Sequence, residues 1–371
     1  MSKKRKLRVG LIFGGRSGEH EVSLTSASGI MKAMDPDKYD IVPIGITKGG
    51  RWLTGENIHQ RLLDAAAGHP VLAEVSQQLV PEKEKALALP MAETGPLDVV
   101  FPVLHGPFGE DGTVQGFFEL VGVPYVGAGV AASAVGMDKV MAKGLFQVHN
   151  IPITPYRVVL RWAWQTDPEP IMADCEAAFG YPMFVKPANL GSSVGVHKAK
   201  DAADLRAGIE DASQYDRKVL VEAGIDAREI EVSVLGNEDP IASLPGEVIS
   251  SREFYSYAAK YLDNASTLII PAELTPAQTQ QVRELAVAAF KAIDCAGLAR
   301  CDFLLEKSSG QFYLNEVNTM PGFTPISMYP KLWEASGLSY SDLIDRLIEL
   351  ALERFEDKQQ SKTSFDVNQA E

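Results

Sequence analysis

The stretch from Gly297 to Asn318 places Arg300, Asp302, Glu316 and Asn318 where two neighbouring strands could bring them together. Alternation along a strand puts Arg300, Asp302 and Leu304 on one face. It puts Phe312, Leu314, Glu316 and Asn318 on one face of the partner. With the turn centred on Ser309, Leu304 lies opposite Leu314, Asp302 opposite Glu316 and Arg300 opposite Asn318. Two carboxylates directly across a hairpin repel each other unless a cation lies between them. Aspartate, glutamate and asparagine supply hard oxygen ligands that suit Mg²⁺, an ion that keeps waters and shares its other positions with phosphates. The plainer alternative is a solvated strand face with Arg300 in an ordinary ion pair. Pro321 and Gly322 follow at once, and a glycine can present its N–H at close range, which favours the metal site.

A second constellation begins with the apolar run Met183 to Pro187, which contains Lys186 and leads into Gly191-Ser192-Ser193-Val194-Gly195. Glycines let backbone approach a phosphate, successive N–H groups and two hydroxyls can donate to its oxygens, and Lys186 supplies countercharge. No Gly-Lys dipeptide occurs in the chain, so this is not a Walker loop. The same five residues match G-x-S-x-G, with Ser193 as a hydrolase nucleophile. That elbow needs a strand, a sharp turn and then a helix. Val194 to Ala199 reads as a second strand instead, which fits a phosphate lid.

Positioning these groups requires layered elements. Through about residue 127 short apolar runs (Leu7 to Phe13, Ile41 to Thr47, Val99 to Leu104, Tyr125 to Gly127) alternate with helical stretches, the pattern of a parallel sheet flanked by helices. Its loops Gly14 to Glu19 and His105 to Thr113 then border a ligand crevice at the strand ends. A helical stretch from Ala131 to His149 stops before Pro152 and Pro155. An α+β unit follows, ending in a strand at Lys218 to Glu222. Three more strand-like runs, a Tyr-rich loop from Ser251 to Ser266, a helix from Pro276 to Ile293, the hairpin and a terminal helix complete the chain. In that helix Leu343, Ile344, Leu347, Ile348 and Ala351 form one stripe suited to core packing. The expected division is 1–127 (Rossmann-like α/β), 128–222, 223–356, and a polar tail at 357–371 expected to be disordered.

The whole chain has 371 residues, 46% of them apolar, and a net charge of −14. Such an acidic chain argues against general affinity for nucleic acid or anionic membrane, so a phosphate-bearing ligand must be held by local cations. No apolar run approaches the roughly 18 residues a membrane span needs. Cys175, Cys295 and Cys301 form no C-x-x-C pair, which suits a reducing cytosol, and the protein is expected in the cytoplasm. No histidine pair has zinc-site spacing.

These two sites, in this order, resemble the ATP-grasp superfamily, and further motifs narrow the likeness to its D-alanine:D-alanine ligase family. They are Gly14-Gly15-Arg16-Ser17-Gly18-Glu19-His20-Glu21-Val22-Ser23, His105-Gly106-Pro107-Phe108-Gly109-Glu110-Asp111-Gly112, and Lys186-Pro187 with the Gly191 to Gly195 loop. Ala259-Lys260-Tyr261, Arg300-Cys301-Asp302 and the run Asn315 to Gly322 complete the set. The resemblance runs from residue 8 to about 355. The resemblance implies an ATP-grasp fold behind the α/β domain, and ADP-forming ligation of two D-alanines through an acyl phosphate for the bacterial cell wall. It implies ATP contacts from Lys139, Lys186, Ser193, Glu222, Ile225, Glu229, Phe254, Lys260 and Asn315. It implies two Mg²⁺ ions on Asp302, Glu316 and Asn318, with Mn²⁺ as a substitute, K⁺ as an accessory ion, and a homodimer.

By the same resemblance Glu19 binds the ammonium of the first D-alanine and is linked to Ser192 and Tyr261. His105 orients that substrate, while Ser327 and Met328 receive the carboxylate of the second. Arg300 and the Gly322 N–H stabilise the tetrahedral oxyanion. Tyr261 stands where depsipeptide-forming relatives carry phenylalanine, which favours an amine over the hydroxyl of D-lactate. The chain departs from its relatives at Ala223-Gly224, a smaller pair than is common in that hinge. A ligase for another amino acid or hydroxy acid, and a nucleotide-binding regulator that has kept the fold, are the rival readings.

Overall fold

Leu7–Gly14 (β1) is apolar on both faces beyond Arg8, so it must be covered on both sides. The computed structural model describes residues 5–55, 58, 95–191, 193–249 and 267–362. In it β1 lies between Tyr39–Ile46 (β2) and Val99–Val103 (β4), parallel to each, with Trp52–Leu53 (β3) antiparallel at the edge. The expected parallel sheet is present. Tyr125 contributes only a single parallel bridge to Val100, not a full strand. One face packs Val9, Leu11 and Phe13 on residues of helix His20–Ala33 (α1); the other packs Ile12 and Val100 on Val114 and Phe118 of helix Thr113–Val121 (α2). β1 ends at Gly14, whose φ of 93° suits glycine, and a Cβ there would fall 2.1 Å from the Ile46 carbonyl oxygen. This sharp turn throws the Gly14 to Glu19 loop across the carboxyl ends of the strands.

The helical stretch expected from Ala131 to His149 is present as two helices, Val130–Met137 (α3) and Lys139–Val148 (α4). Asp138 is extended at their junction, and its carboxylate caps α4 by accepting from the Val140 and Met141 N–H groups. Lys139 is thereby set at the head of a helix. The next unit is an antiparallel sheet of Tyr156–Leu160 (β5), Met183–Pro187 (β6), His197–Ala199 (β7) and Lys218–Ala223 (β8), in the order β5-β8-β6-β7. Arg161–Thr166 (α5), Pro168–Phe179 (α6) and Ala202–Tyr215 (α7) accompany it. Its own core includes Met172, Cys175, Val185, Leu205, Ile209 and Val221.

The third sheet runs β12-β11-β9-β13-β14, formed by Ala227–Gly236 (β9), Gly246–Ile249 (β11), Thr267–Ile269 (β12), Gly297–Glu306 (β13) and Phe312–Asn318 (β14). Ile241–Ala242 (β10) pairs with β9 at its side. Helix Pro276–Ala292 (α8) covers one face and Met328–Ala335 (α9) follows the hairpin. The hairpin register agrees with expectation at Arg300↔Asn318 and Asp302↔Glu316 but not beyond. Phe303, not Leu304, faces Leu314, because the register shifts between Asp302 and Phe303 and Asn315 is the additional residue of a β-bulge. Phe312 and Leu314 therefore turn into the core with Val317 and do not share a face with Glu316 and Asn318.

The last helix, Tyr340–Gln359 (α10), runs past the expected start of the tail at 357; residues 363–371 lie outside the described part. The stripe Leu343, Ile344, Leu347, Ile348 and Ala351 is buried as expected, in the core that also holds Val9, Leu11 and Phe13 of the first sheet. Lys38 and the Tyr39 hydroxyl both contact Asp345 of α10, at 2.6 and 2.7 Å. The final helix thus ties the end of the chain to its beginning and locks the third unit against the first.

Candidate active site

The second and third sheets face each other across a cleft of about 830 Å³. Lys139, Lys186, Ser193, Glu222, Ile225, Glu229, Asp302, Asn315 and Glu316 all line it, so residues singled out along 178 positions of sequence converge on one space. The chain crosses between the sheets at Ala223-Gly224. A Cβ on Gly224 would lie 2.4 Å from the Pro182 carbonyl oxygen, and the Gly224 N–H donates to that oxygen at 2.9 Å. Glycine at position 224 is what so close an approach demands.

Cations line the wall formed by the second sheet. Lys186, on β6, reaches Glu222 Oε2 at 2.7 Å and donates to Asn315 Oδ1 at 2.8 Å, across the cleft. The bulge that carries Asn315 is what aims it there. Lys143, on α4, meets the other oxygen of Glu222 at 2.8 Å. Burial alone would push the Glu222 carboxyl up, but Lys143 and Lys186 outweigh it and bring it down to about 2. Burial acts against both ammonium groups too; it prevails at Lys143, which is lowered, whereas Glu222 and Glu316 hold Lys186 raised. Two lysine side chains within 2.8 Å thus hold this buried carboxylate ionised. Lys139 donates to the Leu190 carbonyl at 2.9 Å and stands 3.3 Å from Glu316.

Carboxylates line the opposite wall. Register places Asp302 beside Glu316 on one neighbour and Glu231 on the other, a row of three acids across β9, β13 and β14. Arg300 compensates two of them, with Nε and Nη2 each 2.7 Å from an oxygen of Asp302 and Nε 3.0 Å from Glu231. Asn318 donates to Asp302 at 2.9 Å. Asp302, Glu316 and the Asn318 amide oxygen form a hard-oxygen set, of which Asp302 and Glu316 line the cleft. They fit a Mg²⁺ ion that would share its other positions with phosphate oxygens.

A third group comes from the loops of the first sheet. The Glu19 carboxylate at the head of α1 lies between Gly106 and Gly191, 3.1 and 3.3 Å from where their Cβ atoms would be, so it bridges the His105 loop and the flap. His105 is buried, which lowers its pKa and keeps the ring neutral; Nδ1 donates to the Met320 carbonyl at 3.0 Å. Among the described residues its Nε2 has no hydrogen-bond partner, which leaves it able to accept from a ligand. Ser327 accepts from the Thr324 N–H at 3.0 Å at the start of α9, Met328 packs with Val248 and Leu332, and Gly322 lies against the Ser327 hydroxyl. Ser193 has a left-handed φ of 56°, but a strand and not a helix comes next, so the hydrolase elbow is absent. Ser192, Phe254, Lys260 and Tyr261 lie outside the described residues.

Glu110, Lys143 and Glu231 belong to this assembly without having been singled out in the sequence. Lys143 falls between Ala142 and Phe146 on the buried side of α4, and a charge in an apolar stripe is the signal that could have found it. Glu110 accepts from the Gly106 N–H at 2.8 Å, and burial together with the Glu19 charge pushes its carboxyl up to about 8. A carboxyl raised on folding contributes stability while protonated and loses it as pH climbs from 4.5 through about 8. Glu110→Gln keeps the acceptor without the charge. In the ligand-free protein it is expected to melt above wild type at pH 9 by at least about 1 °C more than at pH 5, the shift ~1 kcal/mol produces at this size. Parallel melting curves across that range would refute this.

A parallel sheet bearing two ligand loops, followed by two antiparallel sheets that close lysines against carboxylates, defines an ATP-grasp ligase. Models described as the D-ala D-ala ligase N-terminus and C-terminus match residues 8–128 and 145–349, and the chain belongs to the D-alanine:D-alanine ligase family. It is 50% identical over 362 residues to D-alanine–D-alanine ligase of Heliobacterium modesticaldum, covering 96% of this chain and 98% of that one. Among solved structures, the D-alanine-D-alanine ligase from Coxiella burnetii superposes with a TM-score of 0.81 at 35% identity, over 96% and 97% of the two chains. VanG D-Ala:D-Ser ligase from Enterococcus faecalis gives 0.79 at 35% identity, over 94% and 100%.

Proposed function

We infer that this protein joins two molecules of D-alanine into D-alanyl-D-alanine for peptidoglycan precursor synthesis, with ATP cleaved to ADP and phosphate through a D-alanyl phosphate. The observation that carries the reading is the meeting of a lysine wall and a carboxylate wall in one cleft, with Arg300 beside them. In this reading Glu222, Ile225, Glu229 and Phe254 surround the base and ribose. Lys139, Lys186, Lys260, Asn315 and the Ser193 loop serve the phosphates. Asp302, Glu316 and Asn318 hold two Mg²⁺ ions, replaceable by Mn²⁺, and K⁺ is an accessory. The metal, when bound, neutralises phosphate charge.

A carboxylate is a poor electrophile, so its oxygen first attacks the γ-phosphorus and ADP leaves. The second D-alanine, its amine having shed a proton, then attacks the acyl carbon, and phosphate departs from the tetrahedral intermediate. Arg300 and the Gly322 N–H receive the oxyanion, each well-aimed donor contributing roughly 3–4 kcal/mol. Glu19 holds the first ammonium and, through Ser192 and Tyr261, closes the flap so that water does not consume the acyl phosphate. The neutral His105 accepts a hydrogen bond at Nε2. The second carboxylate meets Ser327 and the Met328 N–H at the head of α9, where helix N–H groups favour an anion.

We assign the three bodies to 1–127, 128–222 and 223–356, working as a homodimer in the cytoplasm. Among the described residues no helix is long and apolar enough to cross a membrane. The test is phosphate release with ATP, followed by product analysis with D-alanine, D-serine, L-alanine and D-lactate offered together. Release that requires both ATP and D-alanine, with D-alanyl-D-alanine as the main product, is expected. Release without D-alanine, or a product dominated by D-serine or D-lactate, would overturn the reading.

A further inference from the structure

Lys186 faces the cleft but already has a carboxylate 2.7 Å away, and a lysine spent on Glu222 would offer an anionic ligand little net charge. Lys143 changes that balance. Its side chain is 1% exposed, it stands 2.8 Å from Glu222 Oε1, and it does not line the cleft, whereas Lys186 and Glu222 both do. The Tyr156 ring, opposite Glu222 on the neighbouring strand, lies 5.8 Å from the Lys143 ammonium and closes it off. The carboxylate is thus shared by one buried and one cleft-facing ammonium.

We propose that Lys143 is a positioning residue which, by occupying one oxygen of Glu222, leaves the cluster with a net positive charge that Lys186 presents to the phosphates of the nucleotide. The inference rests on the reading that Lys186 faces those phosphates. It assigns Glu222 two tasks, fixing the Lys186 ammonium at the cleft wall and anchoring that wall to α4. It also explains a cost the fold carries, since an ammonium buried against a helix stripe is destabilising unless paired. Glu229 and Glu316 also act on Lys186 electrostatically, and both are unchanged in every variant below.

The quantity that isolates charge from shape is the ratio of the dissociation constants of adenosine and ADP, measured by calorimetry without divalent cation at constant ionic strength. Lys143→Met leaves Glu222 to neutralise Lys186, and the ratio is expected to fall at least tenfold, the effect of one unit charge within about 12 Å at an effective dielectric near 20. Glu222→Gln removes the shared anion, and the ratio is expected to rise. The double variant restores one net positive charge, and its ratio is expected to return to within about threefold of wild type. A Lys143 that only supports packing would weaken adenosine and ADP alike, leave the ratio unmoved and give no recovery in the double variant; any of those results overturns the proposal. Should Lys143→Met not fold, an unchanged or lowered ratio in Glu222→Gln refutes it alone. Lys186→Met separates the two levels: an unchanged ratio there refutes the phosphate-facing assignment of Lys186, while a collapse there with none at Lys143 refutes the apportionment only.

Discussion

Arg300→Lys is expected to lower kcat by about 10²–10³ at saturating substrates while the protein stays folded. A lysine keeps the positive charge between Asp302 and Glu231 but cannot reproduce the planar fork, whose Nε and Nη2 each lie 2.7 Å from an Asp302 oxygen. The donor that meets the oxyanion then loses its orientation. Arg300→Ala should add a stability defect of about 3–5 kcal/mol, because Asp302 and Glu231 are left as poorly compensated carboxylates, the latter with only 7% of its side chain exposed. Steady-state kinetics and melting temperature together discriminate the two effects. If kcat of Arg300→Lys stays within threefold of wild type, the oxyanion role is wrong, whatever the alanine variant does to stability.

The fork also shows which features could be read along the chain. A count outward from a turn centred on Ser309 sets Asp302 opposite Glu316; the pairs nearer the turn are centred half a residue earlier, and the additional residue at Asn315 restores the count at Asp302↔Glu316. Counting fails closer to the turn, where one additional residue at Asn315 reverses the alternation. In the run Phe312 to Asn318 the one mark of the insertion is the consecutive polar pair Asn315-Glu316, where the alternation breaks. Its cause is tertiary: Phe312, Leu314 and Val317 all fit the core beneath the sheet, and a strict period of two could not bury all three.

Lys143 and Glu231 escaped for a related reason. A lysine on a helix and a glutamate on a strand read as solvated charges, and only the partner brought in from another element, Glu222 for one and Arg300 for the other, makes their burial tolerable. The break at Asp138 was written as a helix-capping residue in mid-helix, but the flanking small and apolar residues sustain a helical pattern across it. Legible features were those that one segment determines alone: the parallel strands, the strand-loop-strand flap and the hairpin. Those that depend on which segments meet were not.

The metal ligands permit the sharpest separation of binding from turnover. Glu316→Gln is expected to raise the Mg²⁺ concentration for half-maximal rate at least tenfold, because one of two ionised oxygen ligands is replaced by a neutral one. In this structure Lys139 stands 3.3 Å from Glu316 and Arg300 grips Asp302, so the protein's own cations compensate both carboxylates. A metal must compete with them, and the substitution removes the attraction that lets it do so. Turnover alone would not distinguish a lost ligand from a misplaced phosphate. The melting temperature of the ADP complex, titrated with Mg²⁺, does. Each tenfold loss in affinity removes about 1.4 kcal/mol of metal-linked stabilisation at saturating metal. The variant's upward shift should therefore shrink while its metal-free melting point with ADP changes little. Asp302→Asn should behave likewise in the metal titration but also lower the metal-free melting point, since Arg300 then loses a charged partner held by two 2.7 Å hydrogen bonds. A full Mg²⁺-dependent shift in both variants would mean that these carboxylates do not bind the ion, and that Arg300 and Lys139 are ordinary members of a structural charge cluster.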